Sequence, residues 1–563
     1  LLRNIYFRKN RIKFTKNLQG KNMKNHLPGS FIATGNIPNA TTSYCKEPLS
    51  LLFSMCTGAM QWNNRVFLYG DRMVRVNLNW IRDYVLTLKG FRYTERDLTS
   101  FPDLLLEKQH EKGFFYEIIA PVTDIHSGCP FRSPDGRMIQ ISSPECCCHE
   151  EGTDFGLCRL ELEADIEYLM VEGAYMLWQA TGDDAWLERN IPRLEKGLQY
   201  MTTDPLRWDP GHGLAKRPRT LDTWDFLDRE SSSYERAVLP GDPMGIFHGD
   251  NTGLYNAKLL MAKMLRFLGK DSAAQRHEEE ASALRERIMK NLWNGRFFRH
   301  FLPLDPVDYG IDESLQMSLS NAYALNRGIL TLDERRNVLD SYRAMRERYG
   351  GELDDFRNLE PPYPCFKGMK PGAYVNGAVA PFVAGQLALG AFESGMEEYG
   401  VDILKRMGCK MLRDGKLAFL YDWNGKDIGG GPRCWCGAEL LNAECTGLAG
   451  VVDLDKLFRK VVISPRFAAA GEKRAHVRLE YAASGAFAEY DYRFDPERQM
   501  FRFELLSSHE QATVRMYVPS SLSPCSARIH GKEIPIRTEH VGTSSYVVAD
   551  GFPFGAVMEI ECR

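Results

Sequence analysis

Residues 254–292 read LYNAKLLMAKMLRFLGKDSAAQRHEEEASALRERIMKNL, and this stretch decides the fold class. Its apolar stripe consists of Leu254, Ala257, Leu260, Met261, Met264, Leu265 and Leu268. That spacing indicates one face of a helix, Gly269 ends the helix, and 272–292 form its partner. The stretch therefore predicts an antiparallel helix pair.

The same pattern recurs on both sides of this pair. Further helices are predicted over 160–179, 186–201, 314–327, 332–349, 375–394, 396–412 and 436–450. Repeated pairs of long helices with long loops between them indicate either a closed ring of hairpins or a solenoid. No fixed repeat period is visible, which favours the ring.

The pattern changes near residue 455, where helices give way to short alternating strands. They are predicted over 460–463, 476–481, 486–494, 500–506, 512–518, 526–529, 544–548 and 556–560. Such spacing is typical of a β-sandwich. We expect a basic disordered tail over 1–35, a helical domain over 36–455 and a β-sandwich over 456–563.

Composition excludes several classes of partner. The 71 basic and 74 acidic residues give a net charge of -3, so no strong field attracts nucleic acid or a membrane surface. No apolar run is long enough for a spanning helix. No export signal is visible in the sequence as given, and 14 cysteines spread along the chain indicate reduced thiols, so a cytoplasmic protein is expected.

The loop 217–230, RPRTLDTWDFLDRE, carries the densest chemistry of the chain. A sugar-cleaving enzyme needs a protonated carboxylic acid, an aromatic face for a pyranose ring, and guanidinium groups for its hydroxyls. Asp225, Trp224 and either Arg217 or Arg219 would supply these groups. A surface loop whose charges only neutralise one another is the alternative interpretation.

A second polar cluster precedes a helical run in 68–93. Arg72, Arg75, Trp80, Arg82 and Asp83 lie there, and we expect them to bind a terminal sugar. Trp80 would otherwise be a packing residue. Asp165, on an apolar helix, is a further candidate for binding a hydroxyl group.

These motifs together resemble the six-hairpin glycosidases. GDRMVRVNLNWIRDYV and LDTWDFLDR are similar to sugar-binding and general-acid segments of trehalases and glucoamylase-like enzymes. YVNGAVAPFVAGQLALGAFESG resembles an asparagine-glycine turn of the superfamily, and the segment from residue 461 resembles the C-terminal β-sandwich of bacterial alpha-L-rhamnosidases. The resemblance implies a mainly α fold, an (α/α)6 barrel followed by a C-terminal β-sandwich.

The resemblance also implies a glycosidase that removes a terminal sugar with two carboxylates and inversion. Asp225 would be the general acid and Asp422 the base, with Glu439, Asp427 and Glu444 as alternatives for the base. Asn376 and Trp423 join the expected carbohydrate-binding residues. No cofactor is expected, and the oligomeric state stays open.

The cysteine run and the histidines receive no catalytic role. Cys146, Cys147 and Cys148 with His149 offer zinc-ligand types, but adjacent thiols cannot easily fill a tetrahedron, so no metal is predicted. No role is assigned to His212, His248 or His300. A sugar phosphorylase, with phosphate at Arg217, Arg219 and His248, and a non-catalytic carbohydrate-binding protein stay as alternatives. Epimerases and lyases of this shape rely on other residue types.

Overall fold

A computed structural model of the chain describes residues 30–33, 48–61, 65–76, 79–121, 139–140, 144–149, 153, 155–224, 227–228, 234–235, 238–506 and 510–563. Its helical part consists of α1 Pro48–Gln61, α2 Ile81–Phe91, α3 Ser100–Glu107, α4 Ile166–Thr181, α5 Asp184–Thr203, α6 His248–Phe267, α7 Asp271–Leu292, α8 Ser320–Ala324, α9 Leu332–Tyr349, α10 Pro381–Phe392, α11 Glu397–Asp414 and α12 Arg433–Asn442.

Six of these helices contact one another in a closed cycle. α2 packs on α4, α4 on α6, α6 on α8, α8 on α10, α10 on α12, and α12 again on α2. The other helices lie against this cycle, with α5 on α4, α7 on α6, α11 on α10, and α1 on α11 and α12. The predicted helix pairs therefore assemble into a two-layered ring.

Local sequence signals set several helix ends. Thr331 and Glu334 form a reciprocal capping box at the start of α9, and Gly350 ends it with φ 77°. Pro381 occupies the first turn of α10, where its missing N–H costs nothing. α9 has its predicted bounds, whereas α10 begins six residues after and ends two residues before its predicted bounds.

The strands follow in chain order. They are β1 Ser30–Ala33, β2 Arg65–Tyr69, β3 Arg72–Val76, β4 Ile118–Pro121, β5 Ile139–Gln140, β6 Cys147–His149, β7 Phe155–Cys158, β8 Trp208–Asp209, β9 Leu214–Ala215, β10 Arg217–Pro218, β11 Tyr234–Glu235, β12 Met244–Phe247, β13 Phe301–Pro303, β14 Met317–Ser318, β15 Leu359–Glu360, β16 Val451–Asp453, β17 Lys460–Ile463, β18 Arg474–Glu480, β19 Phe487–Asp495, β20 Met500–Leu505, β21 Gln511–Val518, β22 Pro524–Ile529, β23 Lys532–Ile534, β24 Arg537–Val541, β25 Ser544–Ala549 and β26 Val557–Cys562.

The C-terminal region is built from two sheets. One has the order β1-β18-β19-β20-β26-β22-β23 and the other β16-β17-β21-β25-β24. Alternate residues of β18, β20 and β26 are buried, as expected for strands with one face against a core. β1 lies within the predicted tail and pairs with β18, so that part of the tail is a strand; residues 1–29 lie outside the described part.

Buried Arg466 joins the sheets to the ring of helices. Its guanidinium donates to Gly447 O at 2.6 Å, to Glu393 at 2.9 Å and to the Tyr546 hydroxyl at 3.0 Å. Because a buried guanidinium needs several acceptors, these contacts fix how helices and sheets meet. No described helix combines the length and apolar character needed to cross a membrane.

Candidate active site

The loops before the six inner helices pair with one another at one end of the ring. β10 pairs with β12 and β12 with β13, β14 pairs with β15, and Val379 bridges Tyr421. β12 leads directly into α6, and β14 lies just before α8. Helix N-termini carry partial positive charge, so carboxylates are favoured at this end.

Arg82 lies at the start of α2 and holds a buried carboxylate cluster. Its Nε and Nη2 donate to Asp165 at 2.6 and 2.7 Å, and Nη1 donates to Glu163 at 3.0 Å. Burial alone would raise the pKa of Asp165, but Arg82 outweighs burial and lowers it. Burial and neighbouring Glu163 raise the pKa of Glu117 well above its usual value, because two buried carboxylates lie close together. Arg82 therefore binds two protein carboxylates, and its contact with a sugar stays a prediction.

Arg217 connects a buried carboxyl group to the predicted catalytic loop. Its Nη2 donates to Trp224 O at 2.8 Å, and Nη1 lies 3.5 Å from Asp250 Oδ1. Asp250 Oδ2 has no hydrogen-bond partner among the described residues. Burial raises the pKa of Asp250 to about 7, and Arg217 offsets burial only in part. Arg217 therefore holds the backbone immediately before residue 225.

Aromatic side chains surround Trp224. Its ring lies 6.0 Å from that of Trp435 at an interplanar angle of 18°, and 5.5 Å from Tyr374 at 86°. Trp435 in turn stacks on Phe382 at 4.5 Å. Such a cluster forms a stiff wall of low polarity, and it begins one residue before Asp225.

Asp222 lies on the same loop as Trp224, where it is buried near two histidines from other parts of the chain. Its backbone N–H donates to His300 Nε2 at 2.8 Å, and Ser320 Oγ donates to its carboxylate at 2.5 Å. Burial opposes ionisation, but His248, His300 and the nearby serine hydroxyls outweigh burial and lower the pKa of Asp222. Burial lowers the pKa of His300 to about 4. Asp222 also has φ 53°, so this hydrogen-bonded network fixes an unusual backbone turn.

The two expected catalytic groups besides Asp422 have different outcomes. Asp225 lies outside the described residues. Glu439 is buried on α12, where Lys89 Nζ contacts its two oxygens at 2.7 and 2.9 Å. Tyr323 donates to it at 3.1 Å and Gln386 at 2.5 Å. Every oxygen of Glu439 is thus engaged, which is the arrangement of a structural ion pair.

Asp422 lies on a hairpin near the start of α10. Its Oδ1 accepts the backbone N–H groups of Asn424 and Lys426, each at 2.9 Å, and Oδ2 has no partner among the described residues. A cavity of about 310 Å³ lies beside it, also lined by Asp354 and Trp423. Asp422 thus supports its own turn and leaves one oxygen available.

Asp427 and Glu444, the remaining candidates for the base, differ in charge state. Asp427 pairs with Lys416 at 2.6 Å and with Arg433 at 3.2 Å. Glu444 is fully buried, neither of its oxygens has a partner among the described residues, and burial raises its pKa well above the usual value. Glu444 is therefore a protonated core residue.

Several predicted sugar-binding residues form ion pairs or hydrogen bonds within the protein. Arg72 pairs with Glu107 of α3 at 2.6 Å, and Arg75 lies 3.5 Å from Glu95. Asn376 is fully buried, accepts the Tyr363 N–H at 2.8 Å and donates to two carbonyls. These contacts show which protein groups the three side chains bind, and their contact with a sugar stays a prediction.

Trp80, Asp83 and Trp423 keep some exposure. Trp80 bridges Ile118 at the start of α2, and Trp80 and Asp83 are both half-buried. Trp423 is 42% exposed, its N–H donates to Gly377 O at 2.7 Å, and Arg357 lies over its ring. These residues keep surface for a ligand.

The cysteine run lies on the edge of a small sheet. Cys146 Sγ is 3.6 Å from Glu161 Oε1, while Cys147 and Cys148 belong to β6. Within the described ranges, no group of three histidine, cysteine or carboxylate residues has the arrangement of a metal site.

Sequence reasoning did not single out Asp222 or Asp250, gave His300 no role, and named His248 only for the phosphorylase alternative. Their partners lie far apart along the chain, since Asp222 meets His300 and Ser320, so no local spacing could reveal them. The only local signal was the polar segment HGDN at 248–251, directly before the apolar stripe of α6.

Comparison with solved structures identifies the fold. The alpha-L-rhamnosidase from Dictyoglumus thermophilum matches with a TM-score of 0.58 and 14% identity, over 95% of this chain and 50% of that one. The chain has the fold of alpha-L-rhamnosidases. The Streptomyces avermitilis alpha-L-rhamnosidase complexed with L-rhamnose gives 0.56 and 14%, over 95% and 42%, and the GH78 family rhamnosidase of Bacillus SP. GL1 gives 0.55 and 14%, over 87% and 43%.

The resemblance expected from the sequence is thus confirmed at the level of the fold. The chain spans half or less of the length of these three proteins. No protein-family model matches the chain, and no curated protein matches it in sequence.

Proposed function

We propose that this protein is a glycoside hydrolase that removes a terminal sugar by an inverting, two-carboxylate mechanism. The closed cycle α2-α4-α6-α8-α10-α12 supports an (α/α)6 barrel over 36–455, and the two sheets support a β-sandwich over 456–563. The substrate is a carbohydrate. The cytoplasm is the expected compartment because of the cysteine content.

One observation carries the proposal: the loop that bears Asp225 is held on both sides and walled by aromatic rings. Arg217 fixes the Trp224 carbonyl before it, and Thr220 bridges Leu227 after it. A carboxyl group beside the Trp224 cluster would be poorly solvated, and desolvation raises a carboxyl pKa. A general acid requires this condition, and we assign that role to Asp225.

Asp422 is the better candidate for the base. A base must contact a water molecule, and Asp422 keeps one oxygen without a partner among the described residues. Glu439 has both oxygens bonded to Lys89, Tyr323 and Gln386, and its side chain is 0% exposed. Its ionised form therefore stabilises the ring of helices.

The geometry does not favour a phosphorylase. A phosphate pocket would need Arg217, Arg219 and His248, but Arg217 is engaged by Asp250 and Trp224. Arg219 pairs with Glu313, and its guanidinium lies 4.3 Å from the Phe301 ring centroid. Hydrolysis needs none of these cations to be free.

The test is a panel of nitrophenyl glycosides, including the alpha-L-rhamnoside, with the product anomer followed by NMR. Asp225→Asn and Asp422→Asn should each lower turnover by a factor on the order of 10² to 10⁴ and leave the fold intact. Asp427→Asn is the matched control, because this neighbour is already paired with Lys416 and Arg433, and its turnover should stay close to wild type.

Four results would contradict the proposal. Near-normal turnover of Asp225→Asn on a substrate with a poor leaving group would show that Asp225 is not the general acid. A product with the same anomeric configuration as the substrate would rule out the inverting mechanism. Sugar binding without turnover by the wild-type protein on every glycoside would favour the non-catalytic alternative, and sugar phosphate formed in phosphate buffer would favour the phosphorylase.

A further inference from the structure

A polar cavity lies on the outer wall of the ring, away from the candidate active site. It has a volume of about 520 Å³ and lies between α5 and α7, with Leu254 and Lys258 of α6 among its lining residues. Lys258 is eight residues after Asp250 on that helix, which is about 12 Å along the axis. The other lining residues belong mainly to the outer helices α5 and α7 and to the hairpin of Trp208, and none of them is a candidate catalytic residue, so we treat the cavity as a separate place on the ring.

The charges in this cavity do not cancel. Lys258 pairs with Glu280 at 2.5 Å, and Arg276 pairs with Glu195 at 3.1 Å. Arg287 also lines the cavity, but it makes no ion pair within the described part of the chain, and its Nε is buried without a partner. Arg287 as a whole is only half-buried, so its guanidinium has no anionic partner in the described part of the chain and stays within reach of a ligand carboxylate.

Another titratable side chain of the cavity does not supply the missing charge. His277 is 3% exposed, and burial lowers its pKa below the usual value, so its imidazole is neutral near pH 7. A neutral imidazole adds no charge of either sign, so the excess positive charge of the cavity stays with Arg287.

Trp208 adds an aromatic surface to the same cavity. It is half-buried in the hairpin of β8 and β9, and its indole N–H donates to no described residue. Gly213 of that hairpin has φ 63°, and a Cβ there would lie 2.9 Å from Arg287 Cδ. The Arg287 side chain is therefore packed against the turn that carries Trp208, which keeps cation and indole together.

We propose that this cavity binds an acidic sugar, a hexuronate whose carboxylate pairs with Arg287 and whose ring lies against Trp208. A planar guanidinium binds a carboxylate with two parallel hydrogen bonds, and an indole face accommodates the apolar face of a pyranose. The choice of a sugar rests on the proposed function. The need for an anion rests only on the unpaired Arg287.

The probe is D-glucuronate, titrated into the full chain by calorimetry, with D-glucose and inorganic phosphate as the comparison ligands. We expect glucuronate to bind more tightly than either. Arg287→Met should weaken glucuronate binding by about tenfold or more, because it removes a charge-assisted contact. Trp208→Ala should also weaken it. Arg285→Met is the matched control, since Arg285 lies on the same helix, pairs with Glu334 at 3.4 Å and does not line the cavity, so glucuronate binding should stay close to wild type.

The outcomes separate this site from the catalytic proposal. Loss of glucuronate binding in Arg287→Met, with unchanged turnover of an aryl glycoside, supports a second site. Glucuronate binding that Arg287→Met leaves intact but Asp225→Asn abolishes would overturn it, as would phosphate binding equal to that of glucuronate. An absence of turnover in the wild-type protein would refute the proposed hydrolase. The calorimetric binding result would still test the second site, because it does not depend on turnover.

Discussion

Asp250 should make the stability of this protein depend on pH in a way that Asp250→Asn removes. Burial raises its pKa from 3.8 to about 7, with Arg217 only partly offsetting burial. In the folded protein the group is therefore protonated at pH values where it is ionised in the unfolded chain. Folding takes up a proton in that interval, so the free energy of unfolding falls as the pH rises from about 4 to about 7 and is level above that.

The size of the effect follows from the two pKa values. The difference between 3.8 and about 7 corresponds to about 4 kcal/mol at about 1.4 kcal/mol per pK unit. Asparagine does not titrate, and its buried amide adds a constant cost of about 1–3 kcal/mol for unpaired donors. Relative to wild type, Asp250→Asn should thus gain about 4 kcal/mol between the two ends of the interval.

The assay is urea unfolding of both proteins at about pH 4.5, 6, 7.5 and 8.5, with the difference plotted against pH. Asp222→Asn is the control, and its difference from wild type should stay constant over this pH range. Because the pKa of Asp222 is lowered, its contribution to stability is present above the unfolded value of 3.8 and is lost only as the pH falls below it. A difference for Asp250→Asn that is constant across this range would refute the reasoning.

Two further predictions concern the ring and its junction with the sheets. Lys89→Met should destabilise the protein by about 3–5 kcal/mol because it leaves the Glu439 carboxylate buried without its cation, and adding Glu439→Gln should restore part of this; an unchanged urea midpoint would contradict the ion pair. Gly450→Ala should destabilise by more than about 1 kcal/mol, since φ is 71° and a Cβ would lie 2.0 Å from Ser464 O. Gly471→Ala, with φ 75° and open space, is its control, and equal losses in thermal unfolding would contradict the clash.

Much of the fold could be predicted because its signals are local. The helix Leu332–Tyr349 was predicted with its observed bounds, since a capping box and a C-terminal glycine mark it in the sequence. The helix predicted over 314–327 is only Ser320–Ala324, because residues Met317–Ser318 pair with Leu359–Glu360 instead. Strand pairing over that distance overrides local helix propensity.

The candidate site was less predictable. Arg82 was singled out correctly as a residue at a helix start, but its partners Glu163 and Asp165 lie about eighty positions away and were not anticipated. The four-residue network of Asp222, His248, His300 and Ser320 was not anticipated. Sequence spacing cannot report such contacts.

From the sequence alone, most of the long helices and the C-terminal strands could be predicted, together with the carboxylates and the tryptophan that share the loop before α6. The helices Pro48–Gln61 and Ser100–Glu107 and the short strands of the helical region were not predicted. Periodicity and capping act between residues three or four apart, so they are readable without the fold. Only the tertiary structure decided which polar groups bind other groups of the protein, because closing the ring buries them together. Once buried, each charge must be paired or neutralised. Whether Arg82, Arg217, Asp250 and Glu439 are paired or neutralised depends on distances that arise only when the inner helices meet.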